Sequence, residues 1–249
     1  MKRGEYDVMA ALEDRLWWYR GLRRLVVRSL ANYLRAGPVP LIVDVGCGTG
    51  GTFRAVRAAL PGVCYVGLDP EPKALEHCRS RGLRRLVQAS LADMPVRLQS
   101  ADALICLDVL CYRGVDVGAA LRQFFEVLRP GGLLVVNLPA FESLRGEHDL
   151  AVGIARRFRA SELQNDCRGA GFAILFISYW NATLFLPLWL WRRLSRGTGE
   201  AEATSDTARS PSWLNAVLTG LVLSEVALTR WLRWPWGSSI LVVARRPHR

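Results

Sequence analysis

The chain has 249 residues, 51% of them hydrophobic, and a formal charge of +11 carried almost wholly by arginine, with Lys2 and Lys73 the only lysines. That length allows one generous domain with an elaboration and a sizeable core. The six cysteines form no Cys-x-x-Cys pairs and have no histidines at ligand spacing, which argues against a metal site or a disulfide framework and for a reducing cytoplasm. The basic N-terminal residues are followed by no apolar run, so no secretory signal is read there. The positive balance favours anionic partners: phosphates, nucleic acid or an acidic membrane surface.

Residues 7–35 read as one or two helices, because Leu12, Leu16, Tyr19, Leu22 and Val26 recur at helical spacing. Gly37-Pro38 ends that region. Strand signals follow near 41–45, 63–68, 85–88, 102–107 and 132–138, with helix signals near 51–60, 71–81 and 117–128. This alternation predicts an α/β fold with a doubly wound parallel sheet. A helix over 160–170, a sixth strand over 172–179 and a seventh over 239–245 complete a seven-stranded arrangement.

The most informative stretch is Val43-Asp44-Val45-Gly46-Cys47-Gly48-Thr49-Gly50-Gly51, a strand that ends on an acid and breaks into four glycines within six residues. Glycines there permit a sharp bend and close approach of the backbone to a ligand. No Lys-Ser/Thr follows, which excludes a phosphate-binding P-loop. The Gly46-x-Gly48-x-Gly50 spacing is one residue tighter than the dinucleotide fingerprint.

The stretch resembles the first motif of class I S-adenosylmethionine-dependent methyltransferases, and later segments extend the likeness in order. These are the strand ending Leu68-Asp69-Pro70, the loop Ser90-Leu91-Ala92-Asp93, the strand leading into Leu107-Asp108-Val109-Leu110, and Glu126-Val127-Leu128-Arg129-Pro130-Gly131-Gly132 with its following strand. The resemblance implies a Rossmann-like sheet and S-adenosylmethionine as cofactor. It places Asp44, Gly46, Cys47, Gly48 and Gly50 at the turn, Asp69 and Pro70 at the ribose, Ser90 and Leu91 at the adenine, and Leu107 and Asp108 at the exit of strand four.

The segment Leu12-Glu13-Asp14-Arg15-Leu16-Trp17-Trp18-Tyr19-Arg20 is similar to the opening of a bacterial branch of this superfamily. By that likeness residues 1–36 form a helical lid, with Trp18, Tyr19 and Arg20 over the methionine end and the arginine meeting its carboxylate. Members often carry Glu-His where this chain has Cys111-Tyr112, and a histidine where it has Ile154; where those histidines are catalytic in relatives, acceptor or mechanism differs here. For proton removal from an oxygen acceptor, His148 in Glu147-His148-Asp149 is a candidate base, or else a surface histidine in a polar loop. Tyr112 is a candidate wall or hydrogen-bond donor.

Residues 37–179 then form the cofactor-binding core, 238–249 its last strand, and 180–237 an insertion holding seven of the nine tryptophans. Within it, residues 181–194 are almost unbroken apolar sequence, 195–211 read as a linker, and 213–234 read as a helix with Leu214, Leu218, Leu221, Leu228 and Leu232 on one stripe. The first run is too short to cross a bilayer and the second carries Glu225 and Arg230. The insertion reads either as an interfacial anchor at the inner face of an anionic membrane, or as a cap packed on the domain or on a second copy in a homodimer. Nucleic acid is the weaker partner, since arginine is dispersed and Leu107-Asp108-Val109-Leu110 lacks the Asn/Asp-Pro-Pro-aromatic motif of many DNA base methyltransferases. The resulting expectation is methyl transfer to an apolar or lipid-linked small molecule at oxygen. The rival reading is a non-catalytic scaffold that keeps the cofactor fold.

Overall fold

A computed structural model describes residues 3–35, 37–146, 149, 152–194 and 211–248. Helices α1 (Arg3–Leu12) and α2 (Trp17–Tyr33) precede β1 (Leu41–Val45), α3 (Gly51–Ala59), β2 (Cys64–Asp69), α4 (Pro72–Ser80), β3 (Leu86–Gln88), β4 (Ala101–Leu107), α5 (Val117–Val127) and β5 (Leu128–Pro139). A 3-10 turn (Glu142–Leu144), α6 (Ala160–Gly169), β6 (Ala173–Trp180), α7 (Phe185–Leu194), α8 (Ser212–Leu228) and β7 (Ser239–Arg245) follow. The seven strands pair in the order β3-β2-β1-β4-β5-β7-β6, all parallel except β7, which runs antiparallel between β5 and β6. Strand order reverses between β1 and β4, and ligands of such sheets bind at that divide.

The central strands are buried on both faces, and their residues alternate between two cores. Val43, Leu104, Cys106, Val242 and Ala244 join one cluster, with Phe124 of α5 and Leu163 of α6. Ile42, Ala103, Ile105, Leu241 and Val243 join the other, with Leu25 and Val26 of α2, Phe53 of α3 and Leu75 of α4. Arg129-Pro130-Gly131-Gly132, which reads as a turn, lies inside β5: Ala101 pairs with Leu128 and Ala103 with Leu133, so the extra residues form a bulge.

The two N-terminal helices, expected together as a lid, divide their work. α1 lies over the glycine turn, where the methyl of Met9 would stand 3.0 Å from a Cβ placed on Gly48. α2 is built into the core through Leu22, Leu25, Val26 and Leu30.

α8 runs beside α2 and packs most closely at Gly21, where a Cβ would fall 2.3 Å from Cγ1 of Val222. Asn215 accepts from the Trp17 amide at 3.0 Å and donates to the Arg15 carbonyl at 3.0 Å. The leucine stripe of the sequence reading is not the buried face. Thr219, Val222, Glu225 and Val226 are buried, whereas Leu221, Leu228 and Leu232 are exposed, because contact with α2 needs the small and β-branched side. The helix also ends six residues before Trp234. Trp234 is drawn into an extended bridge with Tyr179, its amide donating to Ser178 Oγ at 3.0 Å.

Glu225 explains itself once the insertion is folded. Its buried carboxylate accepts from the amides of Ala182 (2.9 Å) and Thr183 (3.1 Å) and from the Thr183 hydroxyl (3.1 Å), tying α8 to the exit of β6. Glu225→Ala leaves the buried Ala182 amide without an acceptor and is expected to cost about 1–3 kcal/mol. Urea unfolding checks this, and an unchanged midpoint would refute it.

Candidate active site

The turn after β1 is held by the end of β2. The amides of Gly46 and Cys47 donate to the Leu68 carbonyl at 2.8 and 2.9 Å. Gly46, Gly48 and Gly50 have φ of 75°, 52° and 86°, a region that other residues enter at a cost. Gly46 is fixed by contact as well: a Cβ there would lie 2.3 Å from Cγ2 of Val109, beyond the exit of β4. Gly50 caps α3, so the turn opens at a helix N-terminus.

Asp69 closes the other side. Its Oδ2 accepts from the Gly48 amide and its Oδ1 from the Glu71 amide, both at 3.0 Å. Each oxygen keeps a lone pair for a ligand hydroxyl. Burial raises the Asp69 pKa, and the Glu71 and Gly48 amides oppose that rise. Beside it lies a cavity of about 270 Å³, lined by Gly46, Pro70, Ser90, Leu91, Val109 and Tyr112 among others. Backbone free of Cβ atoms, a diol-accepting carboxylate and a largely apolar cavity fit an adenosyl group.

Asp44 lies beneath the turn, buried, with the Tyr65 hydroxyl donating to its Oδ2 at 2.6 Å. Cys47 points into the core, its Sγ 3.8 Å from that of Cys78. Asp108 follows β4 with φ at 56°, and Asn137 of β5 holds it three ways. The Asp108 amide donates to the Asn137 carbonyl at 2.8 Å, and Asn137 Nδ2 donates to both carboxylate oxygens at 3.0 and 3.1 Å. Trp180 Nε1 donates to Asn137 Oδ1 at 2.8 Å, and Trp18 stacks on Trp180 with centroids 5.6 Å apart. Burial pushes the Asp108 carboxyl up to about 7, against the opposing pull of the Asn137 amide and the Arg157 guanidinium.

Two tyrosines, Tyr19 and Tyr112, lie within electrostatic reach of this acid. Tyr112 is within electrostatic reach of Asp108, Tyr6 and Tyr19, and burial together with these neighbours raises its pKa. Tyr19 is raised by burial first, then by the charges of Glu13 and Asp108. Leu107, half-buried, pairs with Asn137 at the end of β4. The structure therefore gathers Trp18, Tyr19, Leu107, Asp108 and Tyr112 around one strand exit, and Gly46, Pro70, Ser90 and Leu91 around the cavity. Arg20 does not join them; it is exposed on α2. His148 lies outside the described residues. Its neighbour Asp149 is held by Arg157 Nε and Nη2 at 3.0 and 2.7 Å.

Sequence reading missed the latch on the α1–α2 turn. Glu13, buried, accepts a hydrogen bond from the Thr49 hydroxyl inside the glycine turn and pairs with Arg81, just after α4, at 3.0 Å. Asp14 beside it pairs with Arg23, Arg54 and Arg81. An acid pair at a helix end reads as a solvated terminus, and only the folded chain brings these arginines to it.

Burial raises the Asp44 pKa to about 7, with the Tyr65 hydroxyl opposing and the Asp69 and Glu13 charges adding to the rise. An acid raised on folding binds more protons folded than unfolded, so stability falls as pH rises from about 4 through about 7. Asp44→Asn removes that loss. The variant is expected to exceed wild type at pH 8 by on the order of 2–4 kcal/mol, with the gap narrowing through pH 5 and closing by about pH 4. Equal pH dependence of the two in chemical denaturation would refute this assignment.

Residues 43–136 match the family model described as a methyltransferase domain. The 24-methylenesterol C-methyltransferase 2 of Oryza sativa subsp. japonica is 31% identical over 201 residues, 72% of this chain and 53% of that one. The trans-aconitate 2-methyltransferase of Methylobacterium radiotolerans is 36% identical over 100 residues, 40% of this chain and 38% of that protein. The chain thus spans about half or less of these curated relatives. Among solved structures, the complex between the Haloferax volcanii Trm112 methyltransferase activator and a methyltransferase contains a chain that matches with TM-score 0.61 at 20% identity, over 98% of both chains. Geranyl diphosphate C-methyltransferase from Streptomyces coelicolor A3(2) matches with TM-score 0.59 at 18% identity, over 89% of this chain and 78% of that one. The strand order, the glycine turn and these likenesses agree: residues 43–136 form a methyltransferase domain, the sheet has the strand order of class I methyltransferases, and S-adenosylmethionine is the cofactor.

Proposed function

We propose that the chain transfers a methyl group to an apolar or lipid-linked small molecule, at oxygen. The observation that carries this reading is Asp108, held by Asn137 at the exit of β4 amid Tyr19 and Tyr112. Bound S-adenosylmethionine supplies an electrophilic methyl on a sulfonium centre. In-line displacement draws much of its rate from alignment, which here falls to rigid groups at the sheet edge.

Asp69 accepts the ribose hydroxyls, Pro70, Ser90 and Leu91 flank the adenine, and the backbone of Gly46, Cys47, Gly48 and Gly50 borders the methionine end. Asp44 supports the turn from below. Leu107, Trp18 and Tyr19 enclose the region of the methyl, and Tyr112 forms a wall or donates a hydrogen bond to the acceptor. An oxygen acceptor must lose its proton, and Asp108 is the group placed to take it. With its pKa near 7 it is partly ionised at neutral pH and basic enough to accept. His148 is the second candidate by its place in the sequence.

The acceptor's apolar character is supported by the tyrosines and tryptophans that wall the strand exit, and by the tryptophan-rich insertion beside it. Calorimetric titration with S-adenosylhomocysteine tests the cofactor half. Asp69→Ala is expected to weaken binding tenfold to about a hundredfold, the value of hydrogen bonds to a charged group, while Asp108→Asn binds nearly as wild type. Incubation with labelled S-adenosylmethionine and a panel of apolar phenols, quinols and isoprenols tests the other half. Turnover is expected to rise with pH through about 7 as Asp108 loses its proton, and Asp108→Asn is expected to abolish that rise while His148→Ala keeps it. Label entering only water-soluble carboxylic acids would refute the apolar acceptor.

A further inference from the structure

α8 has two faces, and among the described residues only one has a partner. The inner face is buried against α2. The outer one carries Trp213, Val217, Leu221 and Leu228 and continues into Trp231 and Leu232, each between 44% and 75% exposed. The spacing of these six side chains makes one continuous stripe along the helix and its exit. Isolated exposed apolar residues are ordinary; a contiguous stripe with tryptophan at both ends marks an interaction surface.

The charge beside the stripe is of one sign. Arg28 of α2 lies within electrostatic reach of Arg230, Arg233 and Arg24, and Arg230 stacks over Trp231 at 5.1 Å. Residues 17–33 contain no acid, and residues 212–238 contain only Glu225, which is 2% exposed and turned inward. A second copy docked on this face about a two-fold axis would bring two such arginine clusters together and pay for their repulsion. A surface of anionic headgroups neutralises them instead, and tryptophan rings favour the boundary between headgroups and acyl chains. No helix among the described residues is long and apolar enough to cross a membrane, so the helix would lie in the plane of the surface.

We propose that the outer face of α8 docks on an anionic lipid bilayer, with its leucines and tryptophans in the interface and the exposed Arg24 and Arg230 among the headgroup phosphates. Asn215 fastens the N-terminal part of α8 to the segment just before α2, the same segment that carries the Glu13 latch. Docking therefore brings the covering of the cofactor turn close to the lipid. The surface stands whatever molecule is methylated.

Flotation of the full chain with phosphatidylcholine vesicles, with and without phosphatidylglycerol, tests this. Wild type is expected to float with the anionic vesicles and to be released by high salt. Leu221→Ser with Leu228→Ser is expected to weaken binding at least about tenfold. Arg24→Ala with Arg230→Ala is expected to weaken it about thirtyfold on anionic vesicles alone. All four residues are exposed or partly so, and circular dichroism and S-adenosylhomocysteine affinity check that both variants fold. Absence of wild-type binding, or binding that neither double variant alters, would overturn the proposal. So would a concentration-dependent dimer in vesicle-free solution that the leucine variant dissolves, which would assign the face to a second copy.

Discussion

Asn137 is the constraint on which the active-site end of the sheet depends. One amide side chain, buried in β5, meets a carboxylate on β4 and an indole on β6, and each partner decides how the others sit. Its oxygen is taken by Trp180 Nε1, so its nitrogen must face Asp108, and the left-handed backbone of Asp108 is stabilised by the same residue's carbonyl. In a low-dielectric interior such a network is rigid when every member is satisfied and costly when one is missing. Trp18 stacked on Trp180 extends the arrangement to α2, so the N-terminal helices and the catalytic edge share one fixed geometry.

A second arrangement of the same kind holds the outer layer. Gly21 lets α8 approach α2 to side-chain contact, and Glu225 fastens the insertion to the strand it leaves. A buried carboxylate is expensive unless its oxygens are filled, and here backbone amides fill them. The cost of the charge is met by groups that any chain leaving β6 at that point would have to satisfy. The insertion is thereby a layer of the domain on one side and, on the other, an apolar surface with no partner among the described residues.

The α/β alternation, the glycine turn and Asp69 were legible in the sequence because each is local. A strand ending in an acid and a bend that excludes Cβ atoms leave their mark within a few residues. The outward turn of the α8 leucines was not legible, since periodicity says that a stripe exists and not which side has a neighbour. The small residue at Gly21 and β-branched Val222 decide that, across some two hundred residues of sequence. Asn137 was invisible for the same reason: a lone asparagine in an apolar strand gains meaning only beside Asp108 and Trp180. Arg20, placed by resemblance at the methionine carboxylate, stands exposed on α2, since helical phase turns it away from the core side of that helix.

The position of β7 has a consequence for how the chain folds. Among the described residues β6 pairs with β7 alone, and residues 181–238 separate the two. Until that stretch has been traversed, β6 is a strand edge with no neighbour, and β5 lacks its partner on the same side. Pairings of such separation close late and slowly. An unpaired apolar edge is also the part of a folding intermediate most prone to join another chain. The Glu225 carboxylate, which grips the residues just after β6, shortens the effective loop once α8 has docked. Docking of the insertion and closure of the sheet are thereby coupled, so the segment that looks peripheral takes part in completing the core.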